Sequence, residues 1–291
     1  MFLDSDGNIT NHVEEDLLKL YVMGKSSAVN THFLSAIAAW RYDHPEIFYV
    51  DVSKLMYRIS QDSTYKFHIL FGCLSQPSLL FDYIEQDKVS EMISNLNNKI
   101  LEMVNPVKTG NNVSEKVIAV HDYIKSKVTY KRQFEIQDDE AEKRNHVYSS
   151  YGALVNNVAM CDGFAKAFQT AMIQLNIPSI QVPGDALDEN GNSQTHSWNL
   201  VQLENKEWFV VDTTYDTTSK TDNWLLATQE SILQTHFPNG QLDAQPVTFY
   251  FPPIPYVSSD LWSIDFTYTE DNKVDKVLVS FKGKNSTALL E

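Results

Sequence analysis

Cysteine is almost absent from this chain: Cys73 and Cys161 are the two in 291 residues. That excludes a disulfide-stapled mini-fold, and both are expected to be free thiols. Basic charge is short as well, with 23 Lys and Arg against 38 Asp and Glu and a net charge of −15. No Lys/Arg-rich run offsets the deficit, which argues against nucleic acid and anionic membrane surfaces and favours solubility or basic partners. No stretch reaches the roughly 20 apolar residues of a membrane span. The opening Met1-Phe2-Leu3-Asp4-Ser5-Asp6 has no positive segment followed by an apolar one. The expectation is the cytoplasm, or the extracellular space or cell envelope if a targeting segment has been removed, and scarce cysteine suits either. Metal spacings are missing too, with no Cys-x-x-Cys and no His-x-x-x-His. The stretch Asp4 to Thr10 is similar to a calcium loop, with Glu15 at the right distance, but Ile9 stands where that loop requires glycine. It is taken as a turn, and neither a metal nor a cofactor is expected. Repeats and low-complexity tracts are absent.

What is present is enough apolar material, 43% of the residues, for a full core. The length is long for one compact domain, so one domain with accessory pieces is expected. Residues 1–105 read as a mixed α/β region. It holds an amphipathic stretch from Val13 to Val22, a helix from Thr31 to Tyr42, strands at Lys54 to Ile59 and Thr64 to Leu70, and a helix from Leu79 to Val104, with a break near Gln86 as the alternative. Residues 106–243 form the next domain. It opens through the linker Pro106 to Asn112 and a helix from Val113 to Val128 whose Val117, Val120, His121 and Ile124 share one face. A charged loop, Gln137 to His146, is expected to be exposed. A strand at Ile180 to Val182 and a turn-rich loop from Gly184 to Gln194 follow. Residues 244–291 alternate in strand fashion at Val247 to Phe251, Leu261 to Tyr268 and Val274 to Phe281, punctuated by Pro252, Pro253 and Pro255, and read as a β-rich extension.

Cys161 carries the most chemical information. It opens a segment whose apolar residues Phe164, Ala165, Ala167, Phe168, Ala171, Met172 and Leu175 keep helical spacing. A sulfur at a helix N-terminus feels the positive end of the macrodipole and the unpaired N–H groups of the first turn, which is how proteins make a cysteine reactive. Downstream, His196 to Leu203 and Glu207 to Asp212 read as two strands joined through Glu204-Asn205-Lys206. With Leu203, Glu204 and Asn205 as a three-residue loop, Gln202 faces Lys206, Leu200 faces Trp208, and His196 faces Asp212. Cross-strand partners have Cβ atoms roughly 4.5 to 5.5 Å apart, within reach of an imidazole–carboxylate hydrogen bond. A two-residue loop would instead put His196 and Asp212 on opposite faces. Cys161, His196 and Asp212 thus read as nucleophile, base and orienting acid, against the plainer alternatives of a packed thiol, a strand histidine and a carboxylate capping Thr213-Thr214. Trp198, Trp208 and Tyr215 lie close by in sequence and could wall a narrow channel, although Trp208 reads more simply as core. His121, His146 and Asp216 have no partner in the sequence pattern and are given structural roles.

From Tyr151 to Asp216 the chain resembles the transglutaminase-like superfamily. The resemblance rests on the helix start Cys161-Asp162-Gly163-Phe164-Ala165-Lys166-Ala167-Phe168, the strand His196-Ser197-Trp198-Asn199-Leu200-Val201, and the strand end Val210-Val211-Asp212-Thr213-Thr214-Tyr215-Asp216. Asp43 to Val50 also looks like a segment preceding the core in some bacterial members. The resemblance implies an α+β fold: a papain-like core with a helix-borne cysteine packed on an antiparallel sheet, here with the N-terminal α/β region and the C-terminal β extension added. It implies a Cys161–His196–Asp212 triad acting on protein or peptide amide bonds through a thioester. Transfer to an amine or hydrolysis by water are both open, as is a binding module without catalysis. Trp198, Tyr215 and Tyr151 are the expected substrate-binding residues. The Cys161 N–H is the natural first oxyanion donor, with Tyr130 or Tyr151 as the second.

Overall fold

The computed structural model describes residues 26–61, 67–73, 78–109, 112–137, 140–188, 191–232, 234–238, 262–268, 274–281 and 287–290. The stretch Val13 to Val22, the Asp4 to Glu15 loop and the strand at Val247 to Phe251 lie outside these residues. By contacts the chain divides into two units, residues 1–94 with 243–252 and residues 95–242 with 253–291.

The first unit contains α1 (Ser26–Asp43) and an antiparallel hairpin of β1 (Leu55–Gln61) and β2 (Phe67–Cys73), paired from Leu55 with Cys73 to Gln61 with Phe67. The thiol of Cys73 lies outside the described side chains. The helix expected from Leu79 begins ten residues later, as α2 (Val89–Val104). Leu80 instead bridges Val50, and a turn in which Lys88 N donates to the Glu85 carbonyl precedes the helix. α2 runs through the boundary at residue 94, and its buried residues Leu96, Ile100, Met103 and Val104 fall on the far side.

In the second unit, α3 (Val113–Lys127) starts with a capping box between Asn112 and Glu115 and buries the expected face of Val117, Val120, His121 and Ile124. β3 (Thr129–Tyr130) runs parallel to β4 (Val158–Ala159). The charged loop is in part a helix, α4 (Ala141–His146), and its last residue is buried, which corrects the expectation of an exposed loop. α5 (Ser150–Leu154) follows, and then α6 (Cys161–Gln174), whose apolar face gives Phe164, Ala165, Phe168, Ala171 and Met172 to the core.

The central sheet combines β5 (Ser179–Leu187), β6 (Ser193–Gln202), β7 (Trp208–Val211), β8 (Leu225–Ala227) and β9 (His236–Pro238) in the antiparallel order β8-β7-β6-β5-β9. The loop expected from Gly184 is shorter than the sequence suggests, because β5 continues to Leu187 and the turn at Asp188 and Asn192 closes the hairpin. Helices α7 (Thr213–Ser219) and α8 (Gln229–Ile232) join the last strands. Alternation along β6 gives each face its own character. Trp198 and Leu200 pack with Val182, Val210, Ala227 and Ile232. On the other face Asn199 donates to the Ala165 carbonyl of α6 at 3.1 Å, and Gln169 of α6 is bonded to Ser179 through both ends of its amide. A separate sheet of β10 (Trp262–Tyr268), β11 (Val274–Phe281) and β12 (Thr287–Leu290) completes the described residues. Mixed helix and antiparallel sheet make the fold α+β.

Gly184 sets how closely β9 and Trp198 approach β5. A Cβ there would lie 2.3 Å from the Phe237 carbonyl oxygen and 2.7 Å from Cη2 of Trp198. The first is backbone held in the ladder and cannot swing aside. Gly184→Ala is therefore expected to cost about 1–3 kcal/mol of unfolding free energy, read from urea denaturation, whereas a midpoint equal to wild type would show that β9 yields freely.

Candidate active site

Cys161 is the first residue of α6, and Met160 before it offers no side-chain cap, so the first-turn N–H groups beside the sulfur are not taken by a capping oxygen. The helix start is clamped from behind. Met160 N donates to the Val147 carbonyl, and a Cβ on Gly163 would sit 2.6 Å from that same oxygen, so the Cys-Asp-Gly sequence needs its glycine for this approach. Asp162 faces away from any general-base role. One carboxylate oxygen accepts from Lys166 at 2.5 Å and the other from Gln181 at 2.5 Å, and Gln181 also donates to Ser197 at 2.8 Å. This chain of side chains ties the turn bearing Cys161 to the two strands beneath it.

His196 and Asp212 meet as expected, but in a different register. The observed pairs are Gln202 with Trp208, Leu200 with Val210 and Asn199 with Val211. The loop is Glu204-Asn205-Lys206. Lys206 N donates to the Leu203 carbonyl, Leu203 N donates to the Glu207 carbonyl, and Lys206 takes the left-handed conformation at φ 68°. A type I turn followed by one left-handed residue is a favoured three-residue hairpin loop. It displaces the pairing by two residues from the expected one, and because an even shift preserves the face, His196 and Asp212 remain on the same side as diagonal neighbours.

Nε2 of His196 lies 2.6 Å from Oδ2 of Asp212, with both side chains buried. Its remaining ring nitrogen, Nδ1, is not engaged by Asp212, and Cys161 lies near enough to help raise the pKa of the ring. Burial opposes the charged form of His196, but the Asp212 carboxylate, the hydrogen bond to it and the nearby Cys161 prevail and push its pKa up to about 10. Burial likewise opposes ionised Asp212, yet His196 and the hydrogen bonds from His196 and His236 hold its carboxyl well below the usual range. Asp212 does cap the following turn, as the plainer alternative had it. Its Oδ1 accepts from Tyr215 N at 3.0 Å, while Oδ2 faces the histidines.

The sequence gives no sign of His236, which stands 2.9 Å from Oδ2 of Asp212 through its own Nε2. It lies 24 residues beyond Asp212 on an edge strand of three residues, too short for its periodicity to be read. The pair His121 and Asp216, given only structural roles from sequence, is a buried hydrogen bond of 3.1 Å that fastens α7 to α3. Tyr215 stacks on His196 with ring centroids 4.5 Å apart, its hydroxyl donating to the Leu187 carbonyl at 2.9 Å. Trp198 is 3% exposed, so it backs His196 and His236 from inside the core. Tyr151 is buried on α5 against the His146 ring at 4.9 Å. Tyr130, on β3 opposite Ala159, rests its ring near Phe164 at 6.4 Å and has its pKa raised by burial and by the neighbouring Cys161.

Among the described residues, two groups bring possible metal ligands within 4.8 Å of one another: His196, Asp212 and His236, and His121, Asp216 and Asp222. In the first, both imidazoles are already at hydrogen-bond distance from one carboxylate oxygen, and a cation there would have to displace the proton His196 gives to Asp212.

Residues 101–213 match the model of the transglutaminase-like superfamily. The matched segment includes Cys161, His196 and Asp212 and stops short of His236. No curated protein matches the chain. Among solved structures, a protein described as a TGase is similar at 15% identity and a TM-score of 0.35, over 56% of this chain and 45% of its own. A candidate cysteine protease from Cytophaga hutchinsonii is similar at 12% identity and a TM-score of 0.33, over 64% of this chain and 66% of its own. A candidate protease from Parabacteroides distasonis is similar at 11% identity and a TM-score of 0.28, over 55% of this chain and 39% of its own. The chain thus spans under half the length of the first of these and about two thirds of the second.

The buried pair has a signature in stability. His196 is raised from 6.5 to about 10, so its contribution is whole below pH 6.5 and is lost as pH climbs towards about 10, because the unfolded chain releases the proton first. Asp212 is lowered from 3.8, so its contribution is whole above that pH and is lost on acidification below it. Between pH 6.5 and 8.5 the melting temperature of the wild type is therefore expected to fall with a slope that Asp212→Asn lacks. Parallel slopes in thermal melts of the two proteins would show that His196 is not held charged by Asp212.

Proposed function

We propose that this protein is a cysteine-dependent acyl-transfer enzyme acting on protein or peptide amide bonds, with Cys161 as nucleophile, His196 as acid–base and Asp212 as orienting acid. The 2.6 Å bond between buried His196 and Asp212, with Cys161 at a helix start and near enough to raise the pKa of the same imidazole, is the observation that carries this. The Cys161 sulfur attacks the amide carbonyl carbon, and the carbonyl pair moves onto oxygen. As the tetrahedral intermediate collapses, the C–N bond breaks and the departing amine takes a proton from the His196 imidazolium, leaving a thioester. Water or a second amine then gives a proton to His196, adds to the thioester and releases Cys161. Asp212 stays ionised throughout, keeping Nδ1 of His196 turned to the sulfur.

The oxyanion would be met by the N–H groups at the start of α6, with Tyr130 favoured as a second donor because Cys161 lies near enough to raise its pKa. Tyr215 and Trp198 serve the substrate through His196, by walling the imidazole against water. The net charge of −15 favours lysine-rich acceptors or basic protein substrates.

Incubating the protein with a glutamine-containing peptide and a fluorescent amine, followed by mass spectrometry, separates amine incorporation from hydrolysis. Cys161→Ala is expected to abolish either product, along with iodoacetamide labelling at this position. Turnover that survives the substitution removes Cys161 as the nucleophile.

A further inference from the structure

The Asp212 carboxylate serves two imidazoles with one oxygen. Oδ2 takes His196 from β6 at 2.6 Å and His236 from β9 at 2.9 Å, while Oδ1 is committed to Tyr215 N. The donors fix the tautomer of His236. A carboxylate only accepts, so Nε2 of His236 carries the proton, and Nδ1, 2.8 Å from Thr235 Oγ1, is then the acceptor for the threonine hydroxyl. Thr235 thus donates to His236 and His236 donates to Asp212. Aromatic rings fence this imidazole on three sides, with Trp198 edge-on at 4.9 Å, Trp224 at 5.0 Å and Tyr215 at 5.1 Å, and His236 itself is 1% exposed.

We infer that His236 is a positioning residue of this site, holding the Asp212 carboxylate against rotation so that it stays aligned with His196. With Oδ1 pinned by the helix backbone alone, the carboxylate could pivot about that bond. A second donor on Oδ2 from a different strand removes the freedom. A neutral imidazole suits the task, since a second cation beside His196 would compete for the one negative charge. Burial keeps His236 neutral by lowering its pKa, against the pull of Asp212. The inference rests on the proposed function.

The test compares the wild type, His236→Leu, His236→Gln and His196→Ala in iodoacetamide alkylation of Cys161, followed by mass spectrometry from pH 5 to 9, with rates corrected for the folded fraction. Gln can place an amide N–H near the position of Nε2, and Leu cannot. His236→Leu is expected to slow alkylation by about tenfold or more and to move the midpoint of its pH profile upward, while His236→Gln stays within about threefold of the wild type with its midpoint unmoved. Leu and wild-type rates and midpoints that coincide would overturn the role. So would Leu and Gln variants slowed equally with unmoved midpoints, which is what loss of packing alone would give. A wild type no faster than His196→Ala would remove the proposed function itself, and the role of His236 with it.

Discussion

A single buried carboxylate governs this site. Asp212 is 1% exposed, and an ion so placed survives only if neighbouring donors replace its water. Tyr215 N, His196 and His236 supply them, and each brings a different piece of the fold: the first turn of α7, the long strand β6 and the edge strand β9. Removing one partner of such a pair leaves an uncompensated charge, at a cost of about 3–5 kcal/mol in comparable cases. The folding of the second unit and the alignment of its imidazole therefore draw on the same interaction.

The other half of the geometry is the seating of α6. Helices usually meet sheets through apolar side chains, but here a line of amides and hydroxyls runs along the contact: Gln169 with Ser179, Asn199 with the Ala165 carbonyl, and Gln181 between Asp162 and Ser197. Apolar contacts tolerate sliding, whereas hydrogen bonds with fixed partners do not. Axial movement of α6 would break several of them together, so the sulfur at its first residue is held in one place relative to β6.

Much of this was legible from the chain alone, for identifiable reasons. The helix from Cys161 declared itself by its period, and the His196/Asp212 hairpin by alternation. The register was off by two residues because nothing in Leu203-Glu204-Asn205-Lys206 marks the lysine as the left-handed one, a place glycine or asparagine takes more readily. The contact survived that error because the displacement was even. His236 was out of reach for another reason. It meets Asp212 through strand order, not sequence distance, and a three-residue strand has too little pattern to be placed. The α2 boundary failed at Leu80, whose apolar character fits a bridge as well as a helix.

Asp212 is both the N-cap of α7 and the partner of His196, and this restricts the alphabet at the position. A side chain one methylene longer would carry its oxygens past the amide of Tyr215, and a hydroxyl would satisfy that amide but fall short of the imidazoles. Asparagine keeps the shape, but its NH2 would face either the Tyr215 amide or the two imidazoles, donor against donor. Position 212 therefore needs two acceptor oxygens at once, and the helix start and the histidines impose the same choice of residue.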